Sequence, residues 1–388
     1  MNTHPSPAHA ELAQAATASL GPLTEASASD SLDETSRCQL SRFVSLKPQP
    51  SGGLLVESLL TGQRLEIDSP SRWRIVSALL YPTRVADLLR GLEGDQREAI
   101  LGFLRHCHES QFLTLVDDDG QPLNESDALS DWEHHDLLFH MRSRRGRSQQ
   151  TVGATFHRVD ALPPSPPFKA PPAPDAIQLY RPDIETLRTR DRSFTEVLEE
   201  RRSRYSVEPV SLRDLGELLY RACRVTGTLK AAGGETLIRK VYPSGGSFHS
   251  LETYALIERC PEVAPGLYHY HPQEHTLSLV TEPSDELRGL LWEAREGTAR
   301  TLPDLPSVLL IFTTRIRRVT RKYQALAYRV ILQEVGVLQQ TLYLVATAMG
   351  LSPCAVGTGN SDGFARATGI DYYTETSIGE MILGGPLS

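Results

Sequence analysis

The 388-residue sequence predicts an α+β protein in two folded parts. Three observations carry this. Helical and strand patterns are mixed along the second half, without the strict alternation of a doubly wound fold. One apolar-periodic segment, 321–349, is far longer than any other. A proline-dense stretch, ALPPSPPFKAPPAPDA (161–176), precedes that half, and such composition favours an extended, semi-rigid chain.

Charge and cysteine usage narrow the function classes. The formal net charge of −8 argues against bulk binding of nucleic acid or anionic membrane. The five cysteines (Cys38, Cys107, Cys223, Cys260, Cys354) are odd in number, widely spaced and never paired as C-x-x-C, which suggests neither a disulfide framework nor a zinc site. No apolar run approaches the roughly 18 residues of a membrane span. The first Lys or Arg is Arg37, so the N-terminus lacks the charged start of a secretory signal. A cytoplasmic protein is expected.

Residues 1–40, rich in Ala, Ser, Thr and Pro, cannot bury enough apolar surface to offset their ordering entropy and are expected to be disordered. GLLVESLLTGQRLEI (53–67) reads as two strands around Thr61-Gly62. Three amphipathic helices follow, at about 72–80, 83–89 and 95–108, with Ser71 and Asp95 as N-caps. QFLTLVDDDGQPL (111–123) reads as a strand with a turn at Asp119-Gly120. Together, 41–130 suggests a winged-helix-like module. Between Ser71 and Ser110 six Arg and no Lys face five acids, so the basic stripe of a DNA binder is missing. A peptide-binding or structural role is expected instead.

The segment 131–180 is read as a helix followed by the proline-rich linker. His134, His135 and His140, with Asp136, are close enough for a metal to be considered. The alternative, an amphipathic helix burying Trp132, Leu137, Leu138 and Phe139, is preferred, and no metal site is assigned.

In the second domain (181–388), 194–200 and 210–224 read as helices. Strand patterns follow at 251–258, in a hairpin at 266–280, and at 307–315. Ser284 caps a helix at 284–296, and IGEMILGGP (378–386) forms a final strand. Within 321–349, Leu326, Val330, Leu338, Leu342, Val345 and Met349 recur at three- and four-residue steps. Apolar residues also occupy the opposite face, which predicts a helix buried all round and suited to a dimer interface. Gly350 stops it, and SPCAVGTG forms a loop.

Three short stretches look chemical. RRSR (201–204) clusters guanidinium forks that suit phosphate oxygens, or is simply solvated surface. YPSGGSFHSLETY (242–254) places two glycines before a strand, either for close approach of backbone to a ligand or as a tight turn. CAVGTG (354–359) either ends a helix or offers backbone amides. No Walker loop and no G-x-G-x-x-G occurs.

Four stretches in this order, WEHHDLLFHMRSRRGR, LEERRSR, YPSGGSFHSLETY and KYQALAYRVILQEVGVLQQTLYLVATAMGLSPCAVGTG, make the chain resemble the nitroreductase-like flavin fold. The closer resemblance is to that fold's azoline dehydrogenases (SagB/ThcOx type) of ribosomal-peptide biosynthesis, from about residue 45 to the end. The resemblance implies an antiparallel sheet flanked by helices with a long central helix, and an intertwined homodimer with FMN at its interface. It also implies a winged-helix-like peptide-recognition element and oxidation of thiazoline or oxazoline rings in a modified precursor peptide. A complex with a cyclodehydratase belongs to the same expectation.

Residue by residue, Arg201, Arg202 and Ser203 match the flavin-binding arginine–serine stretch. Ser244, Gly245 and Gly246 match the loop along the flavin, and Gln340 stands where members usually carry Asn. Ala355, Val356, Gly357 and Thr358 match the loop whose amides face flavin N5. Lys322 and Tyr323 match the catalytic Lys-Tyr pair; either takes a substrate proton, or a charged Lys322 stabilises a Tyr323 phenolate. Tyr205 and Gly385 depart from the pattern, since members have basic residues there. Competing readings are an NAD(P)H-dependent reductase of nitro compounds or quinones, and a flavin-free peptide-binding scaffold.

Overall fold

The structure, a computed structural model, describes residues 32–123, 125–231 and 234–387. The chain divides after Gln150 into two compact units.

The first unit contains β1 (Arg37–Leu40), β2 (Val44–Pro48), β3 (Leu54–Ser58), β4 (Arg64–Ile67), β5 (Thr83–Arg84) and β6 (Leu113–Leu115). They form two antiparallel three-stranded sheets, ordered β2-β3-β4 and β5-β1-β6. Helices Pro70–Ala78, Val85–Leu88 and Gly94–Glu109 contribute Ile75, Val76, Val85, Ile100 and Leu104 to one core. Of the segment expected to be disordered, 1–31 lies outside the described residues. The remainder is ordered, because Leu32 and Cys38 are buried in that core.

Both expected caps are displaced. Ser69, not Ser71, accepts the Arg72 N–H, with Pro70 in the first turn, where its missing N–H costs nothing. Asp95 sits inside the first turn of Gly94–Glu109 and caps nothing; a carboxylate there still suits the helix dipole. In His134–Arg142 the buried residues are Leu137 and Met141, four apart. Phe139 therefore falls on the exposed side, a correction to the expected apolar face, and Trp132 is only half-buried. Buried Glu57 pairs with Arg64 at 3.0 Å and with Arg142. The two guanidinium groups hold its carboxyl below the usual range although burial alone would raise it.

The second unit comprises β7 (Gly153–Ala154), β8 (Ile177–Gln178), β9 (Val225–Lys230), β10 (Thr236–Lys240), β11 (Leu251–Ile257), β12 (Gly266–His271), β13 (Thr276–Thr281), β14 (Val308–Arg315), β15 (Tyr323–Gln324), β16 (Ser352–Val356) and β17 (Glu375–Gly384). Seven of these make one sheet, ordered β16-β17-β14-β11-β12-β13-β8, with antiparallel neighbours throughout. Because side chains alternate along a strand, β14 serves both faces. Leu310 and Phe312 pack with helices Leu212–Cys223 and Ala327–Met349, and Leu309 and Ile311 with helix Asp285–Glu296 and Phe364. A sheet covered on both faces needs such continuous apolar runs.

The long helix starts at Ala327, not Arg321. Tyr323 and Gln324 pair instead with Ala154 and Gly153, and Ala325 adopts φ +64, which breaks the helical path. A partner strand so distant in sequence leaves no mark on local periodicity. Nor is the helix buried all round: Ile331, Val335, Leu338 and Leu342 face the core, while Leu332, Gly336 and Gln340 are exposed. Gly350, at φ +74, ends it as expected. Ser352–Val356 is then an edge strand rather than part of a loop.

The proline-rich stretch is no free spacer. Arg315 donates to the carbonyls of Pro166 and Pro167 at 3.0 and 2.8 Å. Lys169 bonds the Tyr254 hydroxyl and the Glu375 carboxylate at 2.7 and 2.8 Å, and β8 extends the main sheet. Composition alone suggests a linker because proline carbonyls carry no sequence signature of their acceptor role.

Candidate active site

The loop between β10 and β11 is set by local geometry. Ser244 Oγ accepts the His249 N–H at 3.1 Å, and Gly246 takes φ +64, a conformation that suits glycine. Gly245 packs so closely on the long helix that a Cβ there would lie 2.0 Å from Val330 Cγ1. A Cβ on Gly246 would lie 2.6 Å from the Tyr323 hydroxyl and 2.8 Å from Lys322 Nζ. Five predicted residues, Ser244, Gly245, Gly246, Lys322 and Tyr323, thus come together.

Three rings surround the Lys322 ammonium: Tyr323 at 5.0 Å, Phe248 at 5.1 Å and Phe156 at 5.7 Å from ring centre. These are cation–π distances. Arg318, buried, clamps the loop from behind. It donates to Phe248 O at 2.9 and 2.6 Å, to Pro166 O at 2.8 Å and to Ser165 O at 3.1 Å. Burial and the neighbouring Arg315 push its guanidinium down to about 10, which leaves it charged at neutral pH. Arg321 turns to Glu235 and to the carbonyls of Leu162 and Val159. Arg318 and Arg321, the two buried arginines just before Lys322, therefore hold structure.

A second group forms near the other end of the long helix. The Tyr343 hydroxyl accepts the Ala355 N–H at 2.7 Å and meets Ser203 Oγ at 2.8 Å, while the Arg201 guanidinium lies 5.4 Å from the Tyr343 ring centre. Ala355's amide is thereby engaged within the protein. Among the described residues Arg201 has no carboxylate partner, and the exposed amides of Gly357 and Thr358 have no protein acceptor. Unpaired guanidinium and free amides beside a buried tyrosine fit a flat ligand carrying an anionic group. Val356 and Thr358 line a small cavity with Glu380. Burial raises the Glu380 carboxyl to about 7 against the opposing hydrogen bond from Ser377.

Arg202 and Gln340 join neither group. Both are exposed, and it is Gln339 that bonds the sheet, at Glu380 O, 3.2 Å. The departure at Gly385 has a steric cause, since a Cβ there would lie 2.4 Å from Pro209 O. Tyr343, Phe156 and Glu380 escape sequence reading. Arg318, in the basic run before Lys322, carries a local signal.

Residues 198–384 match the nitroreductase family model, and residues 38–149 match that of the cyanobactin oxidase ThcOx. MJ1384 of Methanocaldococcus jannaschii, which bears a nitroreductase name, is 30% identical over 47% of this chain and 85% of its own length. The trifolitoxin-processing protein TfxB of Rhizobium leguminosarum bv. trifolii is 30% identical over 34% of this chain and 36% of its own. The microcin B17-processing protein McbC of Escherichia coli is 28% identical over 35% of this chain and 51% of its own, so the match spans about a third and about half of those two proteins. The chain belongs to the nitroreductase family, with a region similar to the cyanobactin oxidase ThcOx in front of its nitroreductase region.

Proposed function

We propose that the protein is an FMN-dependent azoline dehydrogenase that converts thiazoline or oxazoline rings of a ribosomally made peptide to thiazole or oxazole. The observation that carries this reading is the meeting of Gly246, Lys322 and Tyr323 at one place. The names of TfxB, a trifolitoxin-processing protein, and McbC, a microcin B17-processing protein, support the substrate class.

Aromatising an azoline removes two electrons and two protons. When bound, FMN supplies the hydride acceptor, with oxygen as terminal acceptor. Gly246, lacking a Cβ, leaves room for a flat ring beside Lys322 and Tyr323. One of those two takes the proton that does not leave as hydride. Phe248 and Tyr323, the two less exposed of the three rings, limit water access to Lys322. Arg201 would hold the anionic end of the cofactor, and the amides of Gly357 and Thr358 would offer hydrogen bonds to it.

The Lys322 group and the Tyr343 group sit toward opposite ends of one helix. Thirteen residues separate Val330 from Tyr343, a rise of about 20 Å. A homodimer, in which one copy's Arg201 group faces the other's Lys322 group, brings the two halves to one cofactor. The first unit serves as the peptide-recognition element, of winged-helix type, and a cyclodehydratase is the expected partner.

The test uses the purified protein and a synthetic peptide carrying one thiazoline. The protein is expected to show the visible absorbance of bound flavin and to remove two hydrogens from the peptide in air without nicotinamide. Lys322→Ala should keep the absorbance and lose the reaction. Turnover of nitro compounds driven by NAD(P)H, with the thiazoline untouched, would identify a reductase instead.

A further inference from the structure

We propose that Phe156 is a specificity-determining residue of this site, a wall against which the planar ring of the substrate lies beside Lys322. The inference rests on the azoline reading above. Phe156 is 49% exposed, so core burial does not account for it. Its backbone adopts φ +53, a left-handed conformation that a bulky side chain rarely takes. Such outliers persist where the surroundings over-determine them, and they cluster at ligand sites.

Here the surroundings do over-determine it. The Phe156 N–H donates to Lys322 O at 3.0 Å, and the Phe156 carbonyl accepts the Val159 N–H at 3.0 Å. Just upstream, β7 is paired to β15 in the register Tyr323↔Ala154 and Gln324↔Gly153, and Thr155 Oγ1 donates to Gln324 Oε1 at 3.2 Å. Just downstream, Arg321 holds the carbonyls of Val159 and Leu162 at 3.2 and 2.7 Å. A strained residue is thus pinned from both sides by the segment that carries Lys322, and its ring faces the ammonium at 5.7 Å.

Of the three rings around that ammonium, Phe248 is buried and Tyr323 half-buried. Phe156 is the one with a large free area. A near-planar azoline approaching Lys322 meets the flat face of that ring, and the aromatic product can keep the contact in an offset arrangement. Open-chain, non-planar groups lose that contact, which makes the residue a selector of ring shape.

The experiment measures kcat and KM of the flavin-loaded protein on the thiazoline peptide for wild type, Phe156→Ala, Phe156→Gly and Phe156→Tyr. Glycine removes the ring but adopts the left-handed backbone freely, so it separates ring from loop geometry. Ala and Gly are each expected to raise KM about tenfold with kcat changed less than about threefold and flavin absorbance kept. Tyr should stay near wild type. A wild-type KM in Phe156→Gly overturns the proposal, as does a loss confined to kcat, which would place the ring's role on Lys322 rather than on substrate. A flavin-loaded wild type that leaves every azoline unchanged overturns the underlying function as well.

Discussion

The Lys322 ammonium lies 2.8 Å from where a side chain on Gly246 would begin, with the Tyr323 hydroxyl as close on the same side, at 2.6 Å. A methyl group at 246 must displace both polar atoms. Each is the far end of a flexible side chain, so the protein should still fold, although the left-handed backbone adds about 1–2 kcal/mol of strain. Gly246→Ala is therefore expected to keep its flavin and to lose at least about tenfold in kcat, equivalent to about 1.4 kcal/mol. Unchanged turnover would show that the space between loop and ammonium is not used.

At Gly245 the obstacle is packed rather than flexible. Gly245→Ala puts a methyl 2.0 Å from Val330 Cγ1, and overpacking of this kind costs about 1–3 kcal/mol. Adding Val330→Ala removes the clashing methyl and should recover part of the loss. Thermal unfolding of the two single variants and the pair reads this as a coupling energy; strict additivity would contradict the contact.

Tyr343→Phe keeps the ring beneath Arg201 but leaves the Ala355 N–H without its acceptor. An orphaned half-buried donor costs about 1–3 kcal/mol. The expected outcome is a lower urea midpoint at unchanged m-value, with weaker flavin retention because Ser203 is released too. Wild-type values for both would remove Tyr343 as the link between the arginine stretch and β16.

Glu380 gives a pH signature. Its carboxyl, raised by burial to about 7 from a model-peptide value of 4.5, stays protonated in the folded protein where the unfolded chain has already released the proton. The folded state binds more protons between those values, so this group's contribution falls as pH rises from 4.5 to 7, by up to about 3 kcal/mol. Other groups titrate in the same range, His271 with the opposite sign because burial and His269 lower it to about 4. The informative quantity is therefore the difference between Glu380→Gln and wild type in chemical denaturation. It should shift in the variant's favour with rising pH across that window, and a flat difference would sink the assignment.

Periodicity made β11 to β14, the helix Leu212–Cys223 and most of the long helix legible, because each buries a regular face. It failed where long-range pairing overrides local preference. Tyr323-Gln324 reads as the first turn of a helix until Gly153-Ala154 claims it. The hairpin of β9 and β10 leaves no periodic signal, because its apolar positions are sparse and most of its residues are half-buried or exposed. Helix Ser361–Thr368 carries one local signal in the sequence, the capping residue Asn360, whose side chain accepts the Gly363 N–H. Of the candidate site, Gly246, Lys322 and Tyr323 were legible through resemblance. Tyr343 was not, since its role lies in two hydroxyl contacts to residues distant in sequence.

The anchoring of the proline tract bears on how the second unit is excised or recombined. A fragment trimmed to begin at residue 177 would take from Arg315 the carbonyls of Pro166 and Pro167, from Arg318 those of Ser165 and Pro166, and from Arg321 those of Val159 and Leu162. It would also strip the cover from Lys322 by deleting Gly153-Ala154 and Phe156. Chimaeras that swap front portions between relatives should accordingly be joined upstream of Thr151, so that the prolines travel with the chemistry they shelter.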